Sequence, residues 1–263
     1  MHLRGFLKGL LLFKPFYTRI DYLKTILLNF SCLPFKQAIK LPIVLYHNVK
    51  IITIGEIEIQ GPIKTAMIKI GVNIAKSYTS TKILTSGKMI FTGSCNIASG
   101  VIIEGKGQLY IGNDVLINEN CKIMCQHSIT IGNHSGFGFD TTIMDTDYHF
   151  IVNTSTGEIK KNFGKVIIGE YCWISSNCKI MKGSRLPKGS IVVGNSLINK
   201  DFSNEPENCI FGGTPAKILK QGFKRLFNTN EERKTTRFFE KNPNVSSYNI
   251  DLKYFNSINN GGF

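Results

Sequence analysis

The chain has 263 residues, of which 42% are apolar, and its 32 Lys and Arg against 18 Asp and Glu give a formal net charge of +14. That length suits one large domain, or one domain with appendages. The charge favours anionic partners such as nucleotide-like cofactors, acidic glycans, anionic lipids or nucleic acid, although charge that serves only solubility looks the same. The seven cysteines contain no Cys-x-x-Cys pair, which disfavours a zinc finger and predicts the reduced thiols of a cytosolic protein.

The N-terminal sequence, MHLRGFLKGLLLFKPFYTRI, is basic and apolar. Its run GLLLF is too short to cross a bilayer, and no small-residue cleavage site follows it. We favour a segment that packs on its own domain, so residues 1–50 are predicted to form a partly helical cap. The alternative is peripheral contact of residues 1–35 with the inner face of a membrane, since Lys and Arg stand beside Leu and Phe.

A repeat of six residues governs the centre of the chain. Of eighteen positions in this repeat, seventeen hold a large apolar residue and one holds His149. Neither an amphipathic helix nor an alternating strand has this period. The apolar positions are Phe91, Ile97, Ile103, Leu109, Ile111, Ile117, Ile123, Ile129, Ile131, Phe137, Ile143, Ile168, Ile174, Ile180, Leu186, Val192 and Ile198.

A six-residue unit makes one short strand and a turn, and three units close a triangular coil on which the next coil stacks at about 4.8 Å. The fourth residue after each apolar one also points inward, near a corner, and is usually small, which makes most cysteines interior fillers. His127, Asp147 and Phe202 depart from that rule. The sequence therefore predicts an all-β protein, a parallel β-helix over residues 51–222.

Two slips of two residues make the middle coils longer, so Phe91, Ile111 and Ile131 are expected to lie one above another. The next coil then begins only at Ile168, which predicts a polar, basic loop inserted at about residues 150–166. Residues 50–90 keep no clean period and predict irregular first coils. Residues 223–263 are predicted to form a tail with a short helix, N-capped by Asn230.

A family resemblance is carried by the repeat, by DTDYH before its break, and by the segments IIGEYCWISSNCKIMKGSRL, VVGNSLINKD and GGTPAKIL. In these features the chain resembles the hexapeptide-repeat acyltransferases. The similarity covers roughly residues 50–222 and is greatest to the branch that O-acetylates sugars in bacterial capsule, exopolysaccharide and O-antigen synthesis. It implies a left-handed coil, contrary to the usual crossover hand. It also implies a cytoplasmic homotrimer with active sites between adjacent prisms, acetyl-CoA as donor, no metal, and a sugar, nucleotide-sugar or lipid-linked glycan as acceptor.

The resemblance assigns His149, in MDTDYHF, as the general base that takes a proton from the sugar hydroxyl. Either Asp145 or Asp147 would orient its imidazole. The resemblance also implies a set of residues that bind the coenzyme. Gly194 would leave room for the pantetheine arm, and the lysines would contact the phosphates of CoA. That set is Trp173, Ser176, Gly194, Asn199, Lys200 and Lys217, with Lys220 as an additional candidate. Asn199 stands where Thr is common, and NEPENCIFGGTPAK is longer than the shortest family versions.

Three alternatives remain open at this point. A γ-class carbonic anhydrase has the same fold with zinc on three histidines, for which only His127, His134 and His149 are candidates within the coil. An inward corner position for His127 and a different coil phase for His134 disfavour their convergence. A nucleic-acid binder rests on charge alone, without a recognisable motif. A scaffold without activity is disfavoured by the intact His149.

Overall fold

The apolar repeat folds into a three-sided coil of short parallel strands. The computed structural model describes residues 19–74 and 79–250. The predictions for residues 1–18 and for the end of the C-terminal tail lie outside the described residues.

Two short helices precede the strands and one follows them: α1 (Tyr22–Cys32), α2 (Phe35–Ala38) and α3 (Thr229–Lys241). The strands in chain order are β1 (Ile43–Leu45), β2 (Val49–Thr53), β3 (Glu56–Ile59), β4 (Ile68–Val72), β5 (Thr81–Thr85), β6 (Lys88–Phe91), β7 (Cys95–Ala98), β8 (Ile102–Gly105), β9 (Gln108–Ile111), β10 (Val115–Ile117), β11 (Lys122–Cys125), β12 (Ser128–Ile131), β13 (Gly136–Phe137), β14 (Thr142–Met144), β15 (Val166–Ile168), β16 (Trp173–Ile174), β17 (Lys179–Ile180), β18 (Arg185–Leu186), β19 (Ile191–Val192), β20 (Leu197–Ile198), β21 (Cys209–Gly213) and β22 (Ala216–Gln221).

From β1 to β20, every third strand belongs to the same face of the prism, and β21 and β22 then both join one face. The nine-strand face runs β1-β4-β7-β10-β13-β16-β19-β21-β22, the seven-strand face β2-β5-β8-β11-β14-β17-β20, and the six-strand face β3-β6-β9-β12-β15-β18. All pairings between these strands are parallel except that of β21 with β22, which closes one end. The predicted all-β fold, a parallel β-helix with a partly helical cap and a helical tail, is confirmed.

The repeat positions form the interior of the prism. Phe91 pairs with Ile111, Ile111 with Ile131, and Ile131 with Ile168, so the predicted stacking is confirmed. All seventeen apolar positions are at most 3% exposed. Because Ile131 and Ile168 are neighbours in the ladder, the residues between β14 and β15 leave the coil as an insertion and return to it in register.

Small residues line the corners as the repeat predicts, but His127 lies differently. Its side chain is exposed, because Cys125 continues the inward alternation of β11 and fills the interior at only 4% exposure. The His127 ring instead packs 4.8 Å from the ring of Phe163, which belongs to the insertion. The expected inward position of His127 is therefore wrong.

Helix α1 caps the first coil by bonding to the free edge of β1. Asn29 donates to the Ile43 carbonyl at 2.7 Å and accepts from the Ile43 N–H, while the Thr25 hydroxyl accepts from the Leu45 N–H. Covering an edge in this way removes unpaired backbone groups. No helix among the described residues is long and apolar enough to cross a membrane.

The coil starts earlier than the sequence suggested. Strand β1 begins at Ile43, inside the segment predicted as cap, because the aliphatic run 43–45 already pairs with β4. The first coils are also more regular than expected, with register shifts only between Ile51 and Thr53 in β2 and between Ile70 and Val72 in β4.

The C-terminal helix has a different N-cap from the predicted one. Asn228, in extended conformation, accepts hydrogen bonds from the N–H groups of Asn230 and Glu231 at 3.0 and 3.1 Å. Asn230 is already inside the first turn, so its side chain cannot serve as the cap.

The seven free cysteines provide a first test of the packing. Burial raises the pKa of Cys121, Cys125 and Cys172 to about 12, and only Cys32 is partly accessible. We expect at most one thiol to react rapidly with Ellman's reagent in the folded protein, and all seven after unfolding in guanidinium chloride. Rapid modification of several thiols without loss of structure would contradict this packing.

Candidate active site

The insertion leaves the prism where the seven-strand face meets the six-strand face, a position we call the insertion corner. It connects Met144, the end of β14, to Val166, the start of β15. Antiparallel bridges join Thr146 to Phe163 and Val152 to Ile159, so the loop folds back on itself as an irregular hairpin. The coil thus holds both ends of this loop at a fixed separation.

Asp145 fastens the first residue of the insertion to the preceding coil. Its carboxylate is fully buried and accepts the main-chain N–H groups of Gln126, His127 and Ser128 at 2.9, 2.7 and 2.6 Å. Its own carbonyl accepts from Gly164 N at 2.9 Å, which ties the two ends of the insertion together. The structure therefore commits the Asp145 carboxylate to the backbone and not to the imidazole of His149.

His149 stands on a tight turn at the start of the insertion. Its N–H donates to the Asp147 carbonyl at 2.7 Å, and the intervening Tyr148 has φ of 60°. A bulky residue in the left-handed region costs roughly 1–2 kcal/mol, and Tyr171, at the corner between the six-strand and nine-strand faces, adopts the same conformation with φ of 55°. The His149 side chain is exposed, so the turn presents the imidazole to solvent.

A cavity of about 390 Å³ opens beside His149, between the insertion and the coil. Asp147 and Lys182 line it and form an ion pair of 2.6 Å, and Lys182 also donates to the Lys161 carbonyl at 3.1 Å. Lys160, Lys161 and Glu158 contribute to the same wall, which carries more positive than negative side chains. Ile151 and Val152 also line it, so the cavity combines aliphatic surface with three lysines and two carboxylates.

The predicted coenzyme-binding residues lie at two different corners and on one face of the prism. Asn199 and Lys200 follow β20 at the insertion corner, as does His149, and the Lys200 carbonyl accepts from Arg185 N at 3.3 Å. Ser176 and Gly194 lie at the corner between the nine-strand and seven-strand faces, which we call the glycine–serine corner. The structure thus brings Asn199 and Lys200 to the corner of His149 but not Ser176 and Gly194.

The glycine–serine corner is built by close stacking of turns. A side chain at Gly138 would lie 2.5 Å from the Ser176 nitrogen, so only glycine fits there. The Ser176 hydroxyl accepts from Phe139 N at 3.1 Å, and its carbonyl accepts from Asn195 N. Gly194 itself is exposed, which leaves bare backbone facing solvent at this corner.

Trp173 and Lys217 lie on the nine-strand face, where the tail returns. Trp173 is in β16, and the Arg225 guanidinium lies 4.1 Å from its ring centroid. Lys217 is exposed on β22 and pairs through its backbone with Gly212. The tail therefore covers part of the surface around Trp173.

Lys182 and Arg225 are site residues that the sequence argument missed. Lys182 lies two residues after Ile180, which pairs with Ile143, so it occupies the coil position directly next to Asp145. Counting residues from these paired isoleucines would have placed Lys182 at the insertion corner. No sequence signal pointed to the contact of Arg225 with Trp173, since it depends on the path of the tail.

The three coil histidines do not converge within the chain. The His134 Nδ1 lies 3.1 Å from the Asp114 carboxylate, and its ring stacks on Tyr171 at 4.6 Å, near a third corner. His127 packs against Phe163. Residues 19–74 and 79–250 contain no group of three or more His, Cys, Asp or Glu side chains suited to a metal ion.

Comparison with known proteins finds sequence relatives over about half of the chain. No family model matches the chain. It is 26% identical over 138 residues to WbbJ of Escherichia coli K12, assigned as an O-acetyltransferase of lipopolysaccharide biosynthesis; the match covers 48% of this chain and 69% of WbbJ. It is 28% identical over 117 residues to the galactoside O-acetyltransferase of Lactococcus lactis, covering 44% of this chain and 55% of that enzyme.

Among crystal structures, the polysialic-acid-specific acetyltransferase NeuO matches with 17% identity and a TM-score of 0.45, over 74% of this chain and 98% of that one. The chain thus spans about two thirds of WbbJ and about half of the Lactococcus enzyme. The repeat, the three-sided coil and the sequence relatives together identify the chain as a hexapeptide-repeat, left-handed β-helix protein similar to the acetyltransferases of that fold.

Proposed function

We propose that the chain is an acetyl-CoA-dependent O-acetyltransferase that modifies a sugar hydroxyl in the synthesis of a bacterial surface polysaccharide. The observation that carries this proposal is the exposed His149, held by a tight turn beside a cavity of charged and aliphatic side chains at the base of the insertion. The relatives support the reaction class, because both are acetyltransferases of carbohydrate substrates by name.

In this mechanism His149 takes the proton of the sugar hydroxyl as its oxygen attacks the thioester carbonyl. The tetrahedral intermediate collapses to the acetyl ester, and the carbon–sulfur bond breaks. The departing CoA sulfur takes the proton from the imidazolium, which restores neutral His149. Backbone N–H groups along a coil edge would stabilise the oxyanion.

Of the two aspartates, we propose Asp147 as the residue that orients the His149 imidazole. Asp147 lines the cavity with His149, whereas Asp145 is engaged by three backbone N–H groups. In the unliganded chain Asp147 pairs with Lys182. We therefore propose that Asp147 and Lys182 act as a pair that shapes the cavity and from which Asp147 can reach the imidazole when substrate binds.

The coenzyme would occupy the glycine–serine corner and the adjoining nine-strand face. Exposed backbone at Gly194 allows close approach of the pantetheine arm, because a side chain is absent there. Ser176 lies against the same turn, and Trp173 and the exposed Lys217 lie on the neighbouring face. Lys200 and Asn199, at the insertion corner, would meet the coenzyme from the His149 side.

A homotrimer follows as part of the same proposal. In one chain His149 and Gly194 lie at different corners of the prism, so a single chain does not bring base and coenzyme together. Cyclic symmetry would place the insertion corner of one subunit against the glycine–serine corner of the next. Each of the three active sites would then need two chains.

The acceptor we propose is a sugar hydroxyl on a nucleotide sugar or a lipid-linked glycan. Lys160, Lys161 and Lys182 outnumber the two carboxylates of the cavity, Asp147 and Glu158, which favours an acceptor with a phosphate or carboxylate group. Such acceptors are assembled at the inner face of the membrane, and we propose that the protein acts there. A panel of these sugars identifies the acceptor, because only the true acceptor should increase the release of CoA from acetyl-CoA.

The carbonic anhydrase alternative gains no support from the relatives, which are acetyltransferases. Near-stoichiometric zinc in the purified protein, together with CO₂ hydration, would favour it. The scaffold alternative predicts no CoA release with any acceptor.

Replacing the proposed base tests the mechanism directly. We expect His149→Ala to lower kcat by about 10²–10⁴-fold, because a general base contributes that much. Thiol release from acetyl-CoA measures the rate. The melting temperature should stay unchanged, since the side chain is exposed. His134→Ala is the matched histidine control and should keep its activity; undiminished turnover in His149→Ala would exclude this base.

The two aspartates should separate structure from catalysis. We expect Asp145→Asn to lower the free energy of unfolding by about 2–4 kcal/mol, because an amide cannot accept three backbone N–H groups as a carboxylate does. Asp147→Asn should cost about 1 kcal/mol or less, since its ion pair is partly exposed. Urea unfolding measures both. A stable Asp145→Asn protein with a large loss of kcat would reverse these assignments.

Mixed oligomers test whether two chains share each site. His149→Ala and Gly194→Trp should each be inactive, and co-expression followed by dual-tag purification should recover activity in about one site of three. The recovery arises because some interfaces pair an intact insertion corner with an intact glycine–serine corner. Absence of any recovery in mixed trimers would place the whole site within one chain.

A further inference from the structure

Helix α1 buries one side against the coil and exposes large apolar side chains on the other. Thr25, Leu28 and Asn29 are buried against the first coil. The opposite side exposes Tyr22, Leu23, Ile26, Leu27 and Phe30, with Leu23 at 69% and Leu27 at 57%. The spacing of these five residues places them in one continuous stripe along the helix. In a helix that only capped the coil, the solvent-facing side would carry polar side chains.

The apolar surface continues beyond α1. Phe35 at the start of α2 is 70% exposed, and Ile39 just after α2 is 55% exposed. The Phe35 ring lies 6.0 Å from that of Phe30, so the two helices present one surface. We call it the cap face: Tyr22, Leu23, Ile26, Leu27, Phe30, Phe35 and Ile39. A contiguous apolar patch of large side chains marks an interaction site.

The charges around the cap face are mostly positive, and the nearby Glu56 and Glu58 on β3 are both paired with Lys88. Residues 19–54 contain Arg19, Lys24, Lys36, Lys40 and Lys50, but Asp21 is their only acidic residue. The Asp21 carboxylate is buried and binds Lys24 at 3.0 Å. Residues 1–18 continue the composition, with three basic residues, no acidic residue and ten large apolar or aromatic ones. Apolar side chains bordered by lysines match the headgroup region of an anionic bilayer.

We propose that the cap face docks on an anionic lipid surface, with the apolar stripe in the headgroup–acyl boundary and Lys36, Lys40 and Lys50 at the phosphates. The described helices are too short to span the bilayer, so the contact is interfacial. A protein partner would need complementary acidic groups, whereas a lipid surface supplies negative charge without specific shape. The inference does not depend on acetyl transfer, since lipid binding needs neither His149 nor acetyl-CoA.

Docking at the cap orients the prism relative to the membrane. The seven-strand face begins with β2 beside the cap, and β14, which leads into the insertion, is four ladder steps away. At about 4.8 Å a step the insertion corner lies about 20 Å along the coil from the cap. A glycan attached to a membrane lipid extends over that distance with a few sugar units.

Vesicle co-sedimentation of the full chain tests the proposal. We expect the native protein to bind phosphatidylcholine vesicles containing phosphatidylglycerol, and to bind pure phosphatidylcholine much more weakly. Leu23→Ser with Leu27→Ser should weaken binding by at least about tenfold, because two large side chains leave the interface. Lys36→Gln with Lys40→Gln should weaken binding to the anionic vesicles and reduce its salt dependence.

Leu219→Ser with Val245→Ser is the matched control, because both residues are exposed aliphatics far from the cap in sequence. It should bind like the native protein, and circular dichroism should show all variants folded. Native-like binding by the Leu23/Leu27 variant would overturn the proposal and attribute lipid contact to residues 1–18. Failure of the native protein to bind anionic vesicles would also overturn it. If the native protein does not bind lipid and the Leu23/Leu27 variant forms a smaller oligomer than the native protein, the cap face binds a second copy of the chain instead.

Discussion

The structure depends on one constraint: each strand takes its backbone partners from the coils immediately before and after it. Within a strand there are no internal hydrogen bonds, so a coil is stable only if the next one returns in register. The stacked side chains enforce that register, because Phe91, Ile111, Ile131 and Ile168 fill one column and any slip would expose them. Stability is then a sum of nearest-neighbour contacts, and both ends need caps. Helix α1 provides one cap and the antiparallel turn of β22 the other.

The same constraint explains where a long loop is tolerated. The entropy of closing a loop grows only with the logarithm of its length, so the insertion costs little once its ends are fixed. Asp145 fixes them by bonding to three N–H groups of the coil below, while its carbonyl binds Gly164 at the far end. The rigid coil thereby holds the turn at Tyr148 in an unfavourable conformation. His149 therefore takes its position from packing elsewhere in the prism.

The sequence predicted the interior well because the interior has a period. Seventeen repeat positions, the small corners and the restart at Ile168 depend only on spacing along the chain. It failed where a residue is chosen by contacts that spacing does not encode. His127 was expected inside, but Cys125 filled that space; Asn228 and not Asn230 had the extended backbone of an N-cap. Lys182 was missed because the insertion separates it from its partner Asp147 in the sequence. The two residues come together only when the coils of β14 and β17 are aligned.

The cap and the active site are linked by the symmetry proposed for the oligomer. In a cyclic trimer of parallel prisms, the three caps lie at one end and the three insertion corners lie at the same height. One cap face is a short interfacial contact, of the kind that binds lipid weakly and reversibly by itself. Three of them on one rigid body bind together with a much higher effective concentration than one. Assembly that completes the acetyl-transfer site would therefore also create the membrane affinity, so the active form would be the form held beside its acceptor.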